Sequence, residues 1–394
     1  MPKGEQLVTT KTAHPYIRAQ DIRNGIISIS EALYVKDDIF QIISRYTVET
    51  NDVCIVIVGA NVGDVGIISP FLSGANLTEN AVKLIDLKEF DSSYLRYCLL
   101  TNDAQEQMKL FAAGAAQPKL GLYKIKQIQV SHPPLKTQRK IAAVLSAYDD
   151  LIENNTRRIQ ILEEMAQTIY RQWFVEFKYP GHEAVPWVDS GMELGEIPQG
   201  WEVRKLGDEC VIVMGQSPKS EYYNEEGQGL PFHQGVKDFG HRYPTDRVYC
   251  TVNNRIAESG DILFSVRAPV GRMNISNKRI VIGRGLSAIR HKNAHQWFIL
   301  QQLREKFFQE DMIGGGTIFK SVTKDDMLNI ELIVPTPKIE EGFEHLLKPI
   351  SAQIANLTLK NVNLRTTRDL LLPRLVSGEV GVSGVENMNN QGEE

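Results

Sequence analysis

Cysteine is scarce and scattered in this chain of 394 residues: Cys54, Cys98, Cys210 and Cys250 form no CxxC pair. That excludes a zinc ribbon and a disulfide framework and fits a reducing compartment, so a cytoplasmic location is expected. No apolar run of about 18 residues occurs, so no membrane span is expected. Met1-Pro2-Lys3-Gly4-Glu5 does not open the apolar core of a signal peptide. A phosphate loop, GxxxxGK followed by Ser or Thr, is missing. The eight histidines show no metal-ligand spacing, so no metal is expected. His132-Pro133-Pro134-Leu135 lacks the Asn or Asp that an amino-methyltransferase motif would place before its prolines. Glu176-Phe177-Lys178 has a nuclease-like Glu-x-Lys pattern but no Pro-Asp upstream. Gly314-Gly315-Gly316 has no strand–loop–helix setting for a dinucleotide. No catalytic residue is expected.

A net charge of −4 does not mark a polyanion binder, but the distribution is uneven. From Glu379 onward there are four acids and no base, which accounts for the whole net charge. From Arg267 to Lys292 there are seven Lys or Arg and no acid, and from Met108 to Lys140 again seven and none. Each half therefore holds one all-basic segment, either a solvated face or an anion-binding one.

The chain repeats itself at an offset of about 202 residues. Ile141, Leu145, Tyr148, Ile152, Asn155, Ile159, Leu162, Ala166, Ile169 and Trp173 follow a strict heptad spacing. The answering positions are Phe343, Leu347, Ile350, Ile354, Leu357, Asn361, Leu364, Arg368, Leu371 and Leu375. Sixteen of these twenty are large and apolar, against about eight expected by chance; such a seam needs a partner helix. Earlier, Pro15-Tyr16-Ile17 answers Pro231-Phe232-His233, and strand-like Asp52–Ile57 answers Asp261–Val266. Asp91–Phe111 and Asn293–Phe308 read as helices capped by Asp and Asn. Glycine loops with one lysine follow, Gly114–Lys119 and Gly314–Lys320. Last come strands at Ile128–Val130 and Ile330–Leu332. Residues 200–229 have no full equivalent before Pro15, so the first unit is expected to lack an opening strand.

The expected fold is α+β: two similar globular α/β units joined by two long antiparallel helices, an intramolecular coiled coil with pseudo-twofold symmetry. The boundaries are 1–135, a helical spacer 136–180, 194–336, a second spacer 337–378, and an acidic tail 379–394 expected to be disordered. Pro349 and Pro373 lie in the second seam, where an interior proline costs roughly 3 kcal/mol. Breaks are therefore expected near Ser146 and Lys348. They leave long helices over about 147–178 and 349–376, roughly 40–45 Å each. The seam residues are Ile152, Asn155, Ile159 and Leu162 against Ile354, Leu357, Asn361 and Leu364. With Asn155 opposite Asn361, Ile159 faces Leu357, Ile152 faces Leu364, Tyr148 faces Arg368 and Trp173 faces Phe343. This register is preferred because a buried Asn needs a polar partner. A slide of one heptad sets Asn155 against Arg368 and Asn361 against Leu162.

Three segments carry a family likeness: PPLKTQRKI from Pro133 to Ile141, YRQWFVEFKYPGH from Tyr170 to His182, and GEIPQGW from Gly195 to Trp201. In this order, and with duplicated halves, the chain resembles the specificity subunit of type I restriction–modification systems over essentially its whole length. The resemblance implies two target-recognition domains, each reading one part of a bipartite double-stranded DNA target. It also implies helices that set the spacing and dock the modification subunits. Those subunits would methylate adenine with S-adenosylmethionine, and a motor–nuclease restriction subunit would join them; no cofactor is expected in this chain. The sequence departs from the likeness in its shortened start and in Glu340-Glu341, where the first copy has Gln138-Arg139.

Under that reading, phosphate contacts give affinity and base-edge contacts give sequence. Arg267, Arg272 and Arg284 can fork onto guanine, while Asn61 and Gln117 can read adenine. Lys119 and Lys320, on the glycine loops, suit phosphate. For each, the plainer alternative is a solvated side chain. Tyr170, Phe174 and Phe177 form a second apolar stripe, either packed on the chain's own second unit or binding a partner. A connector of roughly 40–45 Å allows half-sites about one DNA turn apart. Two competing readings remain, a duplicated scaffold binding proteins and a self-sufficient restriction or methylation enzyme. The second would need the missing motifs.

Overall fold

The computed structural model describes residues 2, 4–29, 31–114, 118–191, 195–312 and 321–384, except the side chains of 308–312. Two compact units result, residues 1–154 with 361–394, and residues 155–360.

The first unit runs β1 (Pro15–Ile17), β2 (Ile22–Arg23), β3 (Gly25–Ile27), β4 (Leu33–Tyr34), α1 (Asp37–Ile43), β5 (Val53–Val56), β6 (Val65–Ile67), β7 (Asn76–Leu77) and β8 (Ala81–Leu84). Helices α2 (Ser92–Leu100), α3 (Asn102–Ala112) and α4 (Leu122–Ile125) follow, then α5 (Leu135–Phe174). Its sheets have the orders β4-β1-β7 and β2-β3-β6-β5-β8. Side chains alternate across a strand, so Val53 and Ile55 meet Leu95, Leu99 and Met108 while Cys54 and Val56 join Ile17, Val48 and Leu77. Both faces of β5 are covered, which is why it reads as an unbroken apolar run.

The second unit runs β9 (Trp187–Asp189), β10 (Glu196–Pro198), β11 (Glu202–Lys205), α6 (Leu206–Glu209), β12 (Cys210–Met214), β13 (Tyr223–Asn224), β14 (Leu230–His233), β15 (Tyr249–Cys250) and β16 (Ile256–Ala257). It continues with β17 (Ile262–Ser265), β18 (Met273–Ile275), β19 (Ile280–Ile282), β20 (Leu286–His291), α7 (Gln296–Met312), α8 (Lys324–Leu328), β21 (Glu331–Val334) and α9 (Pro337–Val376). Its larger sheets are β12-β20-β17-β18 and β13-β15-β14-β19-β16.

The expected repeat is present in the pairing itself. β1 lies parallel to β7 as β14 lies parallel to β19, and β5 lies antiparallel to β6 and β8 as β17 does to β18 and β20. Asp52 accepts from Glu49 N and pairs with Lys83 at 3.2 Å; Asp261 accepts from Glu258 N and pairs with Arg290 at 2.6 Å. Gly63 and Gly271, both with positive φ, turn the chain against Met108 and Phe307 at matching places on their helices.

Among the described residues the first unit shows no counterpart of β11. In the second unit β21 pairs with β11, which lies in the segment without an equivalent. Residues 128–130, expected as a strand, form none. Instead the Gln107 side chain bonds to this segment. Its Oε1 accepts from Gln129 N at 2.8 Å and its Nε2 donates to Gln129 O at 3.1 Å. Two further expectations are corrected. The first helical region breaks at Thr101, which caps α3, while Asp91 caps α2 as expected. In the second unit α7 starts at Gln296, beyond Asn293, and the Glu344 carboxylate accepts from Trp297 N at 3.1 Å and Phe298 N at 3.2 Å at its start.

The expected breaks near Ser146 and Lys348 are absent, since α5 and α9 are each one helix of 40 residues. Their length is about 60 Å at 1.5 Å per residue, and the spacing argument from shorter rods falls. Around Pro349, Phe343, Leu347 and Ile354 are buried. At about 1.5–3 kcal/mol for each buried apolar side chain, they outweigh a proline penalty of about 3 kcal/mol.

Each unit contains its own stretch of the helix pair. In the first, Ile141 and Leu145 pack with Leu372 and Leu375, Arg368 reaches Asp149, and Asn361 Nδ2 donates to Ile152 O at 3.3 Å. Leu364 is half-buried there. In the second, Ile159 and Leu162 pack with Ile354 and Leu357, and the rings of Trp173 and Phe343 lie 5.7 Å apart. These pairs follow the preferred register and not the one slid by a heptad. The tail is also corrected: Val380 and Val382 pack beside Leu372 and Leu375, so the chain from 379 to 384 is placed by its own apolar residues. The rest of that tail, 385–394, lies outside the described residues.

Candidate nucleic-acid interface

The basic segment of the second unit divides sharply once folded. Lys278 pairs with Asp246 at 2.7 Å, Arg279 with Glu258 at 3.3 Å, and Arg290 holds Asp261 through two nitrogens. The Lys292 ammonium donates to Gly207 O and Asp208 O. Arg267, Arg272 and Arg284 are exposed and have no side-chain partner among the described residues. These are the three candidates from the sequence, and they are the free cations of the segment.

Local structure positions them. Ser265, at the end of β17 and 1% exposed, closes the following loop. Its Oγ donates to Pro269 O at 2.6 Å and accepts from Arg272 N at 2.8 Å. Arg267 forms a bridge with Ser321, and Val322 N donates to Val266 O at 2.8 Å. Arg284 sits between two glycines, its N donating to Ser217 Oγ at 3.2 Å.

The first unit builds the same loop with different chemistry. Val58 bridges to Lys119 as Arg267 does to Ser321, and Gly63 N donates to Val56 O at 2.9 Å. Asn61 lies half-buried in this loop, its carbonyl accepting from Asp64 N. Asp64 stands where the second unit has Arg272. Burial raises the Asp64 carboxyl above its ordinary range, and Arg23, 4.0 Å away, opposes the shift. Lys119 is exposed and partner-free among the described residues. Gln117 and Lys320 lie outside them.

The aromatic stripe turns inward. Tyr170 and Phe174 are buried in the core of the second unit, where the Phe174 ring lies 4.8 Å from Phe343 and 5.0 Å from Phe298. Phe177 packs edge-on against Trp187 and Trp201. The internal alternative describes all three; as partner-binding residues Tyr170 and Phe174 are corrected, because nothing outside the unit can reach them.

One cluster was not foreseen. Glu340 Oε1 lies 3.4 Å from His291 Nε2 and 2.9 Å from His295 Nδ1, and the three residues are close enough for a cation to bridge them. However, His291 Nδ1 accepts from His295 N at 3.1 Å, which puts the ring proton on Nε2, the atom a metal would need. The donor set therefore does not suit a cation. Burial lowers the His291 pKa and raises that of Glu340. The answering residue of the first unit, Gln138, is neutral and fully bonded, to Asp91 N, Glu89 O and Pro133 O.

Sequence reasoning also missed Gln216 and Gln234, exposed glutamines beside Arg284. The available signal was a glycine next to each of the three; what joins them is backbone pairing between distant segments.

Residues 1–164 and 198–364 each match the family model described as the type I restriction modification DNA specificity domain. Two proteins of Methanocaldococcus jannaschii are similar over long spans. The putative type I restriction enzyme MjaX specificity subunit is 29% identical over 386 residues, covering 94% of this chain and 88% of that protein. The type I restriction enzyme MjaIX specificity subunit is 30% identical over 318 residues, covering 74% and 69%. Among solved structures, the S subunit of a type I system from M. genitalium has the same fold, with a TM-score of 0.54 at 16% identity over 95% of this chain and 91% of that one. The chain thus belongs to the type I restriction–modification DNA specificity family and carries that family's domain twice.

Proposed function

We propose that this chain is the DNA specificity subunit of a type I restriction–modification complex. Each domain reads one part of a bipartite double-stranded target, and the helices fix the number of base pairs between the parts. The observation that carries the reading is the duplicated specificity domain with three partner-free arginines on the second copy's pinned loops. Catalysis belongs to partners: modification subunits that methylate adenine with S-adenosylmethionine, and a restriction subunit that moves and cuts DNA. Docking faces for the modification subunits lie on the outward sides of the helices. Leu151, Val362 and Leu370 are exposed in the first unit, and Ile161, Met165 and Leu359 in the second. Exposed apolar groups on helices favour burial against a partner. Among the described residues no helix is long and apolar enough to cross a membrane.

A protein-binding scaffold does not need carboxylate-free arginines, and a self-sufficient enzyme needs catalytic motifs that this chain lacks. Mapping methylated adenines in cells carrying the chain with its modification subunit, and in cells lacking only the chain, tests the proposal. A split motif methylated only when the chain is present is expected. Methylation that persists unchanged without it overturns the reading.

A further inference from the structure

Three distant segments of the second unit cross where their glycines leave room. A Cβ on Gly215 would lie 2.2 Å from Gly283 O, one on Gly283 2.9 Å from Gln234 Cα, and one on Gly285 2.4 Å from Gln234 O. None of these glycines has positive φ, so turn geometry does not require them; the close approach of the chains does. Main-chain hydrogen bonds lock the crossing: Gln216 N to Ile282 O at 3.1 Å, Gly285 N to Gln234 O at 3.0 Å, and Gly283 N to His233 O at 2.9 Å. Below it, His233 is fully buried against Asp246 and the rings of Tyr223 and Phe232 stack at 4.6 Å.

This rigid crossing displays Gln216, Gln234 and Arg284, all exposed and with no side-chain partner among the described residues. No carboxylate belongs to the three crossing segments, 215–217, 233–235 and 282–286. A glutamine amide matches the N6 and N7 edge of adenine, and a guanidinium matches the O6 and N7 edge of guanine. Side chains that must discriminate edges gain from a backbone that cannot yield. Lysines on mobile stems would serve phosphate; two amides and one fork suit bases.

We propose that Gln216, Gln234 and Arg284 are base-reading side chains of the second domain, with adenine and guanine as their targets. This rests on the proposed specificity function. The test expresses the full chain, as Gln216→Ala, Gln234→Ala, Arg284→Ala or Arg284→Lys, with its modification subunit and maps the methylated motif. Each variant is expected to lose about 5–150-fold discrimination at one position of one half of the motif, leaving the other half unchanged. Arg284→Lys keeps the charge but not the fork, so it should relax the same position as Arg284→Ala. Lys278→Ala, at a residue already paired with Asp246, is the control and should leave the motif intact.

A motif unchanged in all the glutamine and arginine variants overturns the inference. So does a uniform loss of methylation at every site by variants that melt like the wild type, because that marks a phosphate contact. Should an alanine variant fail to fold, Arg284→Lys and Gln234→Asn answer the same question. Failure of the underlying function looks different, since the wild-type chain would then direct no motif at all.

Discussion

Arg368 on α9 donates to the Asp149 carboxylate on α5 at 2.6 Å, across 219 positions of sequence. Asp149 also accepts from Arg96 at 3.1 Å and from the Tyr97 hydroxyl at 2.5 Å. One carboxylate thus serves two guanidinium groups, one of them 8% exposed. The hydrogen bonds to Asp149 and Asp369 raise the Arg368 pKa against the effect of burial.

Asp149→Ala is expected to destabilise the first unit by about 2–4 kcal/mol, since it leaves Arg96 buried without its anion. The figure is below that for a fully buried pair because Asp149 and Arg368 are each about a fifth exposed. Denaturant unfolding of the variant measures it; a midpoint equal to that of the wild type would refute the role given to this carboxylate.

Gln107→Ala removes the amide that bonds to the Gln129 backbone. About 1 kcal/mol should be lost, the ordinary net value of such hydrogen bonds. Hydrogen exchange at the Gln129 amide should quicken while β5 is unaffected. Equal exchange in both proteins would mean that the segment is held by other contacts.

Glu344 predicts a pH dependence. Burial pushes its carboxyl up to about 7, against the opposing hydrogen bonds from Phe298 N and Trp297 N. With the folded value above the ordinary 4.5, the folded state binds more protons between the two values. The stabilisation from this group is therefore full below about 4.5 and lost as pH rises through about 7. Glu344→Gln keeps an acceptor at the start of α7 without the buried charge. It should flatten this dependence and match or exceed the wild type above pH 7 in thermal melts. A variant that melts lower at pH 8 would contradict the argument.

Arg267→Ala should weaken specific DNA binding by the assembled complex by about 1–3 kcal/mol and relax one base position if Arg267 reads a base. If it meets phosphate, the loss is uniform across sequences and the slope of log K against log salt falls by about one. Titrations at several salt concentrations separate these outcomes. Binding unchanged in both respects would remove Arg267 from the interface.

The helix pair was legible because heptad periodicity is local and an apolar seam tolerates few registers. Ile159 with Leu357 and Trp173 with Phe343 follow from spacing together with the need of a buried Asn for a polar partner. The continuity of α9 was not legible, because the cost of Pro349 is local whereas the burial that offsets it comes from the whole core. Residues 128–130 carry a strand's composition, but among the described residues no strand lies beside them to pair with. The arginines show the same limit. Seven bases in a row are visible, yet which are neutralised depends on Asp246, Glu258 and Asp261 arriving from elsewhere. Gln216 and Gln234 meet only through long-range pairing, which no spacing rule reports.

Leu372, Leu375 and Val382 complete a core begun by Tyr94, Ile141 and Leu145. During synthesis the first unit therefore stays open at that face until residue 382 has been made, whereas 155–360 has every residue it needs once residue 360 is in place. Synthesis interrupted between residues 360 and 372 leaves the later-made unit finished and the earlier-made unit open.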